Sequence, residues 1–508
     1  MARRAGALIA AGLAFLTLGP VGIVMMQAGE GALSSADYAA LRFTVLQAAL
    51  SALLSVACAA PLARALARRR FPGRGVLIAA LGAPFLLPVL VAVLGLLAIF
   101  GRAGVVNGAL RGLALPEVSI FGLGGVLLAH VFLNMPLATR MILQGWQAIP
   151  AERLRLAQSL GFRPADHWRH IERPMLRDVV PGALLAVFAI CLSSFAVVLV
   201  LGGGPSATTI ELAIYQAVRF EFDLPRAAML ALLQVTVCGG AVAVAAWMTA
   251  PGGFGAGLDR ALELHPPRGW RRLADAGVIL LAAAFLAGPL VAVLLRGLPG
   301  LMALPHAVWP ALMTSLLVAV LAAPLAVGSA LALALGRAQG TRWLEPAAML
   351  PMAGSQLVLG TGLFLMIFPF ASPAAVAVPV TVLVTAIMAL PFAYRMLAPE
   401  ARALVADYGR LAGSLNLRGM AALRLLVIPR LRRPLGFSLG LTAALAVGDL
   451  GVIALFATED GATLPLVISR LMGSYRMTQA AGAALLLVIC AFGLFWICDR
   501  WGRGGTED

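Results

Sequence analysis

Few side chains in this 508-residue chain are equipped for chemistry, and their spacing excludes most of it. His167 and His170 stand at ligand-like separation, but no cysteine or carboxylate pair nearby completes a zinc site, so they read as surface histidines. The segment GFSLG, Gly436 to Gly440, matches the GxSxG nucleophile pattern, yet it opens an apolar run with no strand before it. Small residues four apart, suited to close helix packing, account for it better. The five cysteines are scattered through apolar runs and read as small buried residues. No catalytic set and no metal site is expected.

Asp449, in LAVGDLGVIALF, is the one acidic residue well inside an apolar run. A carboxylate in hydrocarbon is costly and faces a polar cavity or a partner. It can meet a cation on a pathway, form a helix-packing hydrogen bond, or pair with an arginine near the outer face. The segment GGGPSATTIELAIYQ offers Thr208, Thr209, Glu211 and Tyr215 just after another apolar run, as an outer gate, a partner contact or an ordinary structured loop.

The elements that position these residues are membrane helices. The chain is 61% hydrophobic and only 12% charged, with a mean hydropathy of +0.96, far from the soluble norm of about a quarter charged. Apolar runs of about 20 residues, the length that crosses ~30 Å of hydrocarbon as a helix, recur throughout. Twelve are expected, at 6–27, 43–63, 76–99, 120–143, 179–201, 227–249, 275–295, 311–335, 344–369, 374–397, 435–457 and 478–498. The first begins like a signal peptide but is longer than one, and reads as a retained span. Period-2 alternation is not seen in these runs, so the fold class is an all-α polytopic membrane protein and not a barrel.

The net charge of +16 comes entirely from arginine, since the chain has no lysine. With Arg3 and Arg4 in the cytoplasm, 30 of the 38 arginines fall on the cytoplasmic side and 8 on the other. That split follows the positive-inside rule, places both termini in the cytoplasm, and leaves no basic face for nucleic acid.

Shifting the sequence by 255 residues aligns Pro136–Arg177 with Pro391–Arg432 without a gap, with 16 identities in 42 positions. The same shift pairs Ser194 with Asp449 and Ala207-Thr208 with Ala462-Thr463. Six spans per copy means that the copies enter the membrane in the same orientation, as parallel repeats. The expected units are residues 1–250 and 274–508, joined by a cytoplasmic linker at 251–273 rich in Gly, Pro and arginine.

Within the aligned stretch, Ala151 to Leu160 and Ala165 to Ile171 read as two short helices, the second ending before Pro174, around a break at Gly161. The second copy repeats this with Asp407 to Leu415 and Met420 to Ile428 around Asn416. Gly and Asn are the residues that most easily end a helix in the left-handed conformation. Amphipathic loops resting on anionic lipid would need no repeated break at a fixed distance from a proline. Docking of a cytoplasmic partner explains the repetition better.

The loop resembles the cytoplasmic EAA loop of ABC importer permeases, in which a glycine is followed by an apolar residue ten positions on and by proline thirteen on. Gly161, Ile171 and Pro174 fit in full, and Asn416, Leu426 and Pro429 fit with two changes. The name-giving glutamate is absent, replaced by Arg155-Leu156-Ala157 and Arg410-Leu411-Ala412. The stretches RFTVLQAALSALLSV, LGGGPSATTIELAIYQAV, RAAMLALLQ and GDLGVIALF are closely similar to thiamine ABC transporter permeases, and the likeness covers nearly the whole chain.

The resemblance implies a MetI-like permease fold in the bacterial inner membrane. It implies a chain that binds no cofactor itself and is surrounded by lipid. It also implies two copies of a cytoplasmic ATPase carrying ATP and magnesium, and a periplasmic thiamine-binding protein. Without lysine the chain cannot form the GxxxxGK[ST] phosphate loop, which agrees with a separate ATPase. The implied ATPase contacts are Leu156, Ala157, Ser159, Leu160, Gly161 and Phe162, with Leu411, Ala412, Ser414, Leu415, Asn416 and Leu417 in the second copy. Ser194, Thr208, Thr209, Glu211, Tyr215 and Asp449 are the candidates for the substrate path or outer gate. Fused ferric-ion permeases share the design and give the alternative cargo.

Overall fold

The computed structural model describes residues 2–29, 32–82, 86–248, 269–457 and 461–504. These residues form helices and turns and no strand, the outcome required where backbone groups have no water to bond. Eleven described helices are long and apolar enough to span a membrane, and a twelfth span results if one pair bent by 90° counts as one.

The first half begins with α1 (Ala2–Ala28), α2 (Ser35–Arg68), α3 (Arg74–Ala80), α4 (Val89–Phe100) and α5 (Leu123–Gln147). It continues with α6 (Ala151–Ser159), α7 (Arg173–Leu192), α8 (Phe195–Leu201), α9 (Ile210–Gln216) and α10 (Leu224–Met248). The second half has α11 (Trp270–Gly300), α12 (Val308–Ala338), α13 (Leu344–Met349), α14 (Gln356–Ile367) and α15 (Ala377–Ser414). It ends with α16 (Ile428–Val447), α17 (Gly451–Phe456), α18 (Leu464–Gly473) and α19 (Met477–Arg503). Most of the linker expected at 251–273 lies outside the described residues.

The 255-residue shift reappears in the backbone. A π-helical turn at Trp168–Glu172 leads into α7, and another at Leu423–Val427 leads into α16, each element displaced by that number. A like hydrogen bond occurs in each half at other offsets: the Thr44 hydroxyl of α2 accepts from the first amide of α9 (Ile210, 2.9 Å), and Ser315 of α12 accepts from the first amide of α18 (Leu464, 2.8 Å).

The halves are not packed side by side as closed units. Helix α1 lies against α12, α14 and α10, while α11 lies against α4, α2 and α19. Each half thus lends its first helix to the other. Phe285 of α11 meets Phe132 of α5 edge-on at 5.7 Å, and Arg69 reaches Asp275 at 3.0 Å. Small residues set other crossings. A methyl group at Gly436 would lie 2.6 Å from the Cys498 carbonyl oxygen of α19, and one at Gly440 would lie 2.8 Å from that of Phe495. GFSLG is therefore a packing face, as its small-residue spacing indicated.

Four of the expected spans are broken. The run at 76–99 divides into α3 and α4, that at 179–201 into α7 and α8, that at 344–369 into α13 and α14, and that at 435–457 into α16 and α17. Hydropathy does not register such breaks, because side chains can satisfy the freed backbone groups inside the membrane. At the first-half break Gln47 donates to the Cys191 carbonyl at 2.8 Å and Gln234 to the Leu192 carbonyl at 3.0 Å. At the second, the Asp449 carboxylate caps the next helix by accepting from the Gly451 amide at 3.0 Å.

Two features of the repeated polar stretches differ from expectation. The helix after each break does not end before Pro174 or Pro429 but runs through it into α7 or α16. Proline is harmless there because the π turn before it has already shifted the hydrogen-bond pattern that its ring would block. In the second copy Asp407–Leu415 is not a separate helix but the end of the 38-residue α15. The first copy is interrupted by Pro150, and Val405 stands at the matching position, so only the second helix runs on.

Candidate functional site

The two repeated loops at Gly161 and Asn416 end their helices with one shared motif. The Gly161 amide donates to the Gln158 carbonyl and the Phe162 amide to Ala157, both at 3.0 Å. In the second copy Asn416 donates to Gly413 at 3.1 Å and Leu417 to Ala412 at 2.9 Å. This double bond pattern is the Schellman termination, and it requires the left-handed residue seen in both loops, Gly161 at φ +66° and Asn416 at φ +50°. Ser159 and Ser414 return their hydroxyls to Leu156 and Leu411, each at 2.9 Å.

The termination leaves leucines in solvent. Leu156, Leu160, Leu411 and Leu415 are 59%, 63%, 53% and 61% exposed, whereas Ala157 is buried against the body. Two loops of the same backbone each present a leucine pair at corresponding positions. His167 departs from expectation: it is buried, with the Phe162 ring edge-on at 5.7 Å, and only His170 is exposed. His167 ends the short helical turn Pro164–His167, just before the π turn. Among the described residues no group of three or more His, Cys, Asp or Glu is placed to hold a metal.

The loops are anchored differently. In the first half Glu172 is clasped by Arg64 at 2.7 Å and by Arg68, and Arg64 also lies over the Trp168 ring. Val427 replaces Glu172 in the second half, where Arg430 stacks on Tyr408 instead.

The candidate path residues gather at the broken spans. Asp449 accepts hydrogen bonds from Thr385 of α15 at 2.9 Å and from Gln356 of α14 at 3.2 Å. Among the described residues no arginine pairs with it, and its hydrogen bonds run to two neighbouring helices. In the first half the matching pair is His130 and Ser194, with Nε2 and Oγ 2.6 Å apart, while His130 Nδ1 meets Ser51 at 2.9 Å. His130 and Thr385 are also 255 residues apart, so one inter-helix contact is built twice with different chemistry.

Nearer the expected outer side, Thr209 caps α9 by accepting from the Leu212 amide, and Thr208 bonds the Gly204 carbonyl at 3.3 Å. Tyr215 packs between Phe195 and Phe220. Glu211 is 2% exposed and faces the Ser355 hydroxyl. Thr208, Thr209 and Tyr215 are thus taken up by local contacts, Asp449 is tied to Gln356 and Thr385, and Ser194 is held separately by His130. His130, Thr385, Ser355 and Gln356 were missed in the sequence. Carrying the 255-residue shift beyond Pro136 would have paired His130 with Thr385, polar residues inside apolar spans.

No protein-family model matches the chain. Full-length relatives do. It is 40% identical to the thiamine transport system permease protein ThiP of Escherichia coli K12, over 92% of this chain and 90% of that one. It is 38% identical to ThiP of Brucella abortus 2308, over 99% and 96%, and 34% identical to ThiP of Haemophilus influenzae Rd, over 88% and 86%. Identity at this level across nearly the whole length, on an all-helical membrane architecture, places the chain in the family of thiamine transport system permease proteins.

Proposed function

We propose that this chain is the membrane-spanning subunit of an ATP-driven importer that carries thiamine into the cytoplasm, with its phosphates as further candidate cargo. Two copies of a separate ATPase bind the cytoplasmic loops, and a periplasmic binding protein delivers the solute. The units are two parallel six-helix repeats, 1–250 and 274–508, with 251–273 as a cytoplasmic linker and both termini in the cytoplasm. ATP and magnesium reside on the ATPase, and this chain supplies no catalytic residue.

The observation that carries the reading is the pair of Schellman-terminated loops, each offering two exposed leucines on a chain 38–40% identical to ThiP proteins. Two identical ATPases need two like surfaces, which a tandem repeat provides on one chain. Closure of the ATPases draws the loops together, and the halves rock between outward and inward openings. Because each half holds the other's first helix, the motion pivots about an interlocked pair without separating it.

The test is ATP hydrolysis by the permease–ATPase complex in lipid nanodiscs. Thiamine-loaded binding protein should stimulate it, and an iron-loaded binding protein should not. Stimulation by the iron-loaded protein alone would overturn the cargo assignment and leave the architecture intact.

A further inference from the structure

Two contacts join the halves at the end of the molecule remote from the Asn416 loop. Arg219 of the first half donates to the Ala457 carbonyl of the second at 3.1 Å, and the Phe222 ring meets Phe368 edge-on with centroids 5.3 Å apart. Helix α15 fixes the place. It begins at Ala377, shortly after Phe368, and runs 38 residues toward Asn416, a length of about 57 Å at 1.5 Å per residue. Phe368 and the Asn416 loop therefore lie at opposite ends of one helix.

Both first-half residues come from one local structure. A π-helical turn at Ala217–Glu221 follows α9 and carries Arg219, and Phe222 closes it in the left-handed conformation at φ +54°. That conformation is uncommon for a bulky side chain and persists only where the surroundings hold it. Arg226 anchors the turn by pairing with Glu221 and, at 2.7 Å, with Asp37 of α2. Among the described residues no π turn follows α18 in the second half, so the reach across is made from the first half.

On the second half the two contacts converge. Ala457 follows Phe456, the last residue of α17; Phe456 meets Phe364 of α14 edge-on at 5.5 Å, and Phe364 stacks on Phe368 at 5.8 Å. The contacts close a circuit that runs from Arg219 through α17 and α14 back to Phe222. Phe364 and Phe456 are buried in it, whereas Arg219, Phe222 and Phe368 are exposed. Because α17 begins just after the Asp449 break, a hold on its far end is also a hold on that broken span. A cation at the carboxyl end of a helix and an edge-on aromatic pair are each modest attractions. Exposed contacts of this size hold at rest and yield to a driven motion.

We infer that Arg219 and Phe222 form a latch that holds the two halves together at the expected outer end and keeps the solute path shut there until the ATPases close. The inference rests on the reading of the chain as an ATP-driven importer, and it adds which residues keep the outer end shut. Release of the latch frees α14 and α17 from the π turn and opens the path where the binding protein delivers.

The experiment uses the complete transporter in proteoliposomes, with permease, ATPase and binding protein. A chain carrying Phe222→Cys and Phe368→Cys is treated with a short bifunctional methanethiosulfonate, and the joined peptides are identified by mass spectrometry. Joining should occur at rest, lower labelled thiamine uptake by about tenfold, and be reversed by reductant. The same reagent should leave the unsubstituted protein, with its five cysteines, active. Holding the ATPases closed with a non-hydrolysable ATP analogue beforehand should lower the joined fraction. Normal uptake by the joined protein, or a joined fraction indifferent to the closed state, would overturn the latch.

A second measurement needs no reagent. Arg219→Ala together with Phe368→Ala should raise ATP hydrolysis in the absence of binding protein by about tenfold. Arg219→Lys together with Phe368→Tyr keeps a donor and a ring and should stay near the wild-type rate. Unchanged hydrolysis in the first pair, or an equal rise in both, would overturn the latch. If uptake proves independent of ATP, the importer reading fails by itself. The latch then stands if joining positions 222 and 368 still blocks uptake, and falls if it does not.

Discussion

Gly161 and Asn416, 255 residues apart, hold the same left-handed backbone position at φ +66° and +50° and end two helices with the same pair of hydrogen bonds. The equivalence makes their substitutions asymmetric. Asn416→Gly keeps the termination and should leave thermal stability and coupled ATP hydrolysis unchanged. Gly161→Val forces a β-branched residue into that conformation at about 1–2 kcal/mol. It should uncouple ATP hydrolysis from uptake while the membrane helices stay folded, as measured by hydrolysis, uptake and melting on the same preparation.

The exposed leucines give a second expectation. Burying a leucine against a partner contributes about 1.5–3 kcal/mol. Replacing Leu156 and Leu160 together by serine should therefore weaken ATPase binding by more than about tenfold, with no loss of melting temperature. Leu411 and Leu415 should behave alike. Titration of labelled ATPase onto the permease in nanodiscs measures both.

Among the described residues the first loop alone is held by an ion-pair clasp. Glu172→Gln removes the charge that Arg64 and Arg68 share, and loss of such charged hydrogen bonds costs about 1.5–3 kcal/mol. Coupling through the first loop should fall, whereas Val427→Ile at the matching position should change little. Hydrogen exchange over Ala151–Glu172 should rise in the Glu172 variant and stay unchanged over Asp407–Val427.

Helix packing supplies a fourth. A leucine at Gly436 would drive its side chain into the α19 backbone, where a methyl group already comes within 2.6 Å. Gly436→Leu should cost about 1–3 kcal/mol or more and lower the yield of folded protein. Ser438→Ala, the central residue of the same GxSxG pattern, should leave transport intact, as a packing face predicts and a nucleophile would not.

What the sequence reveals here follows from what hydropathy and self-similarity can register. Span positions, the tandem repeat and the Gly/Asn break were legible because each leaves a local signature. The break within 179–201 was not, since Gln47 and Gln234 satisfy the freed carbonyls with side chains that barely interrupt an apolar run. The continuous α15 depended on one difference, Val405 in place of Pro150, that the alignment contained but helix-length reasoning passed over. Burial of His167 goes with its packing against Phe162 across the Gly161 break, a contact that spacing alone does not signal. Asp449 stood out as a lone carboxylate, but its partners Thr385 and Gln356 come from two other helices and only the fold brings them together.

The most direct test of the transport account is labelled thiamine accumulation in proteoliposomes containing the permease, its ATPase and its binding protein, beside the same preparation carrying Gly161→Pro and Asn416→Pro. The account predicts accumulation that requires ATP and all three components and that disappears in the doubly substituted protein while its melting temperature holds. Accumulation without ATP, or undiminished uptake by the doubly substituted protein, would contradict it.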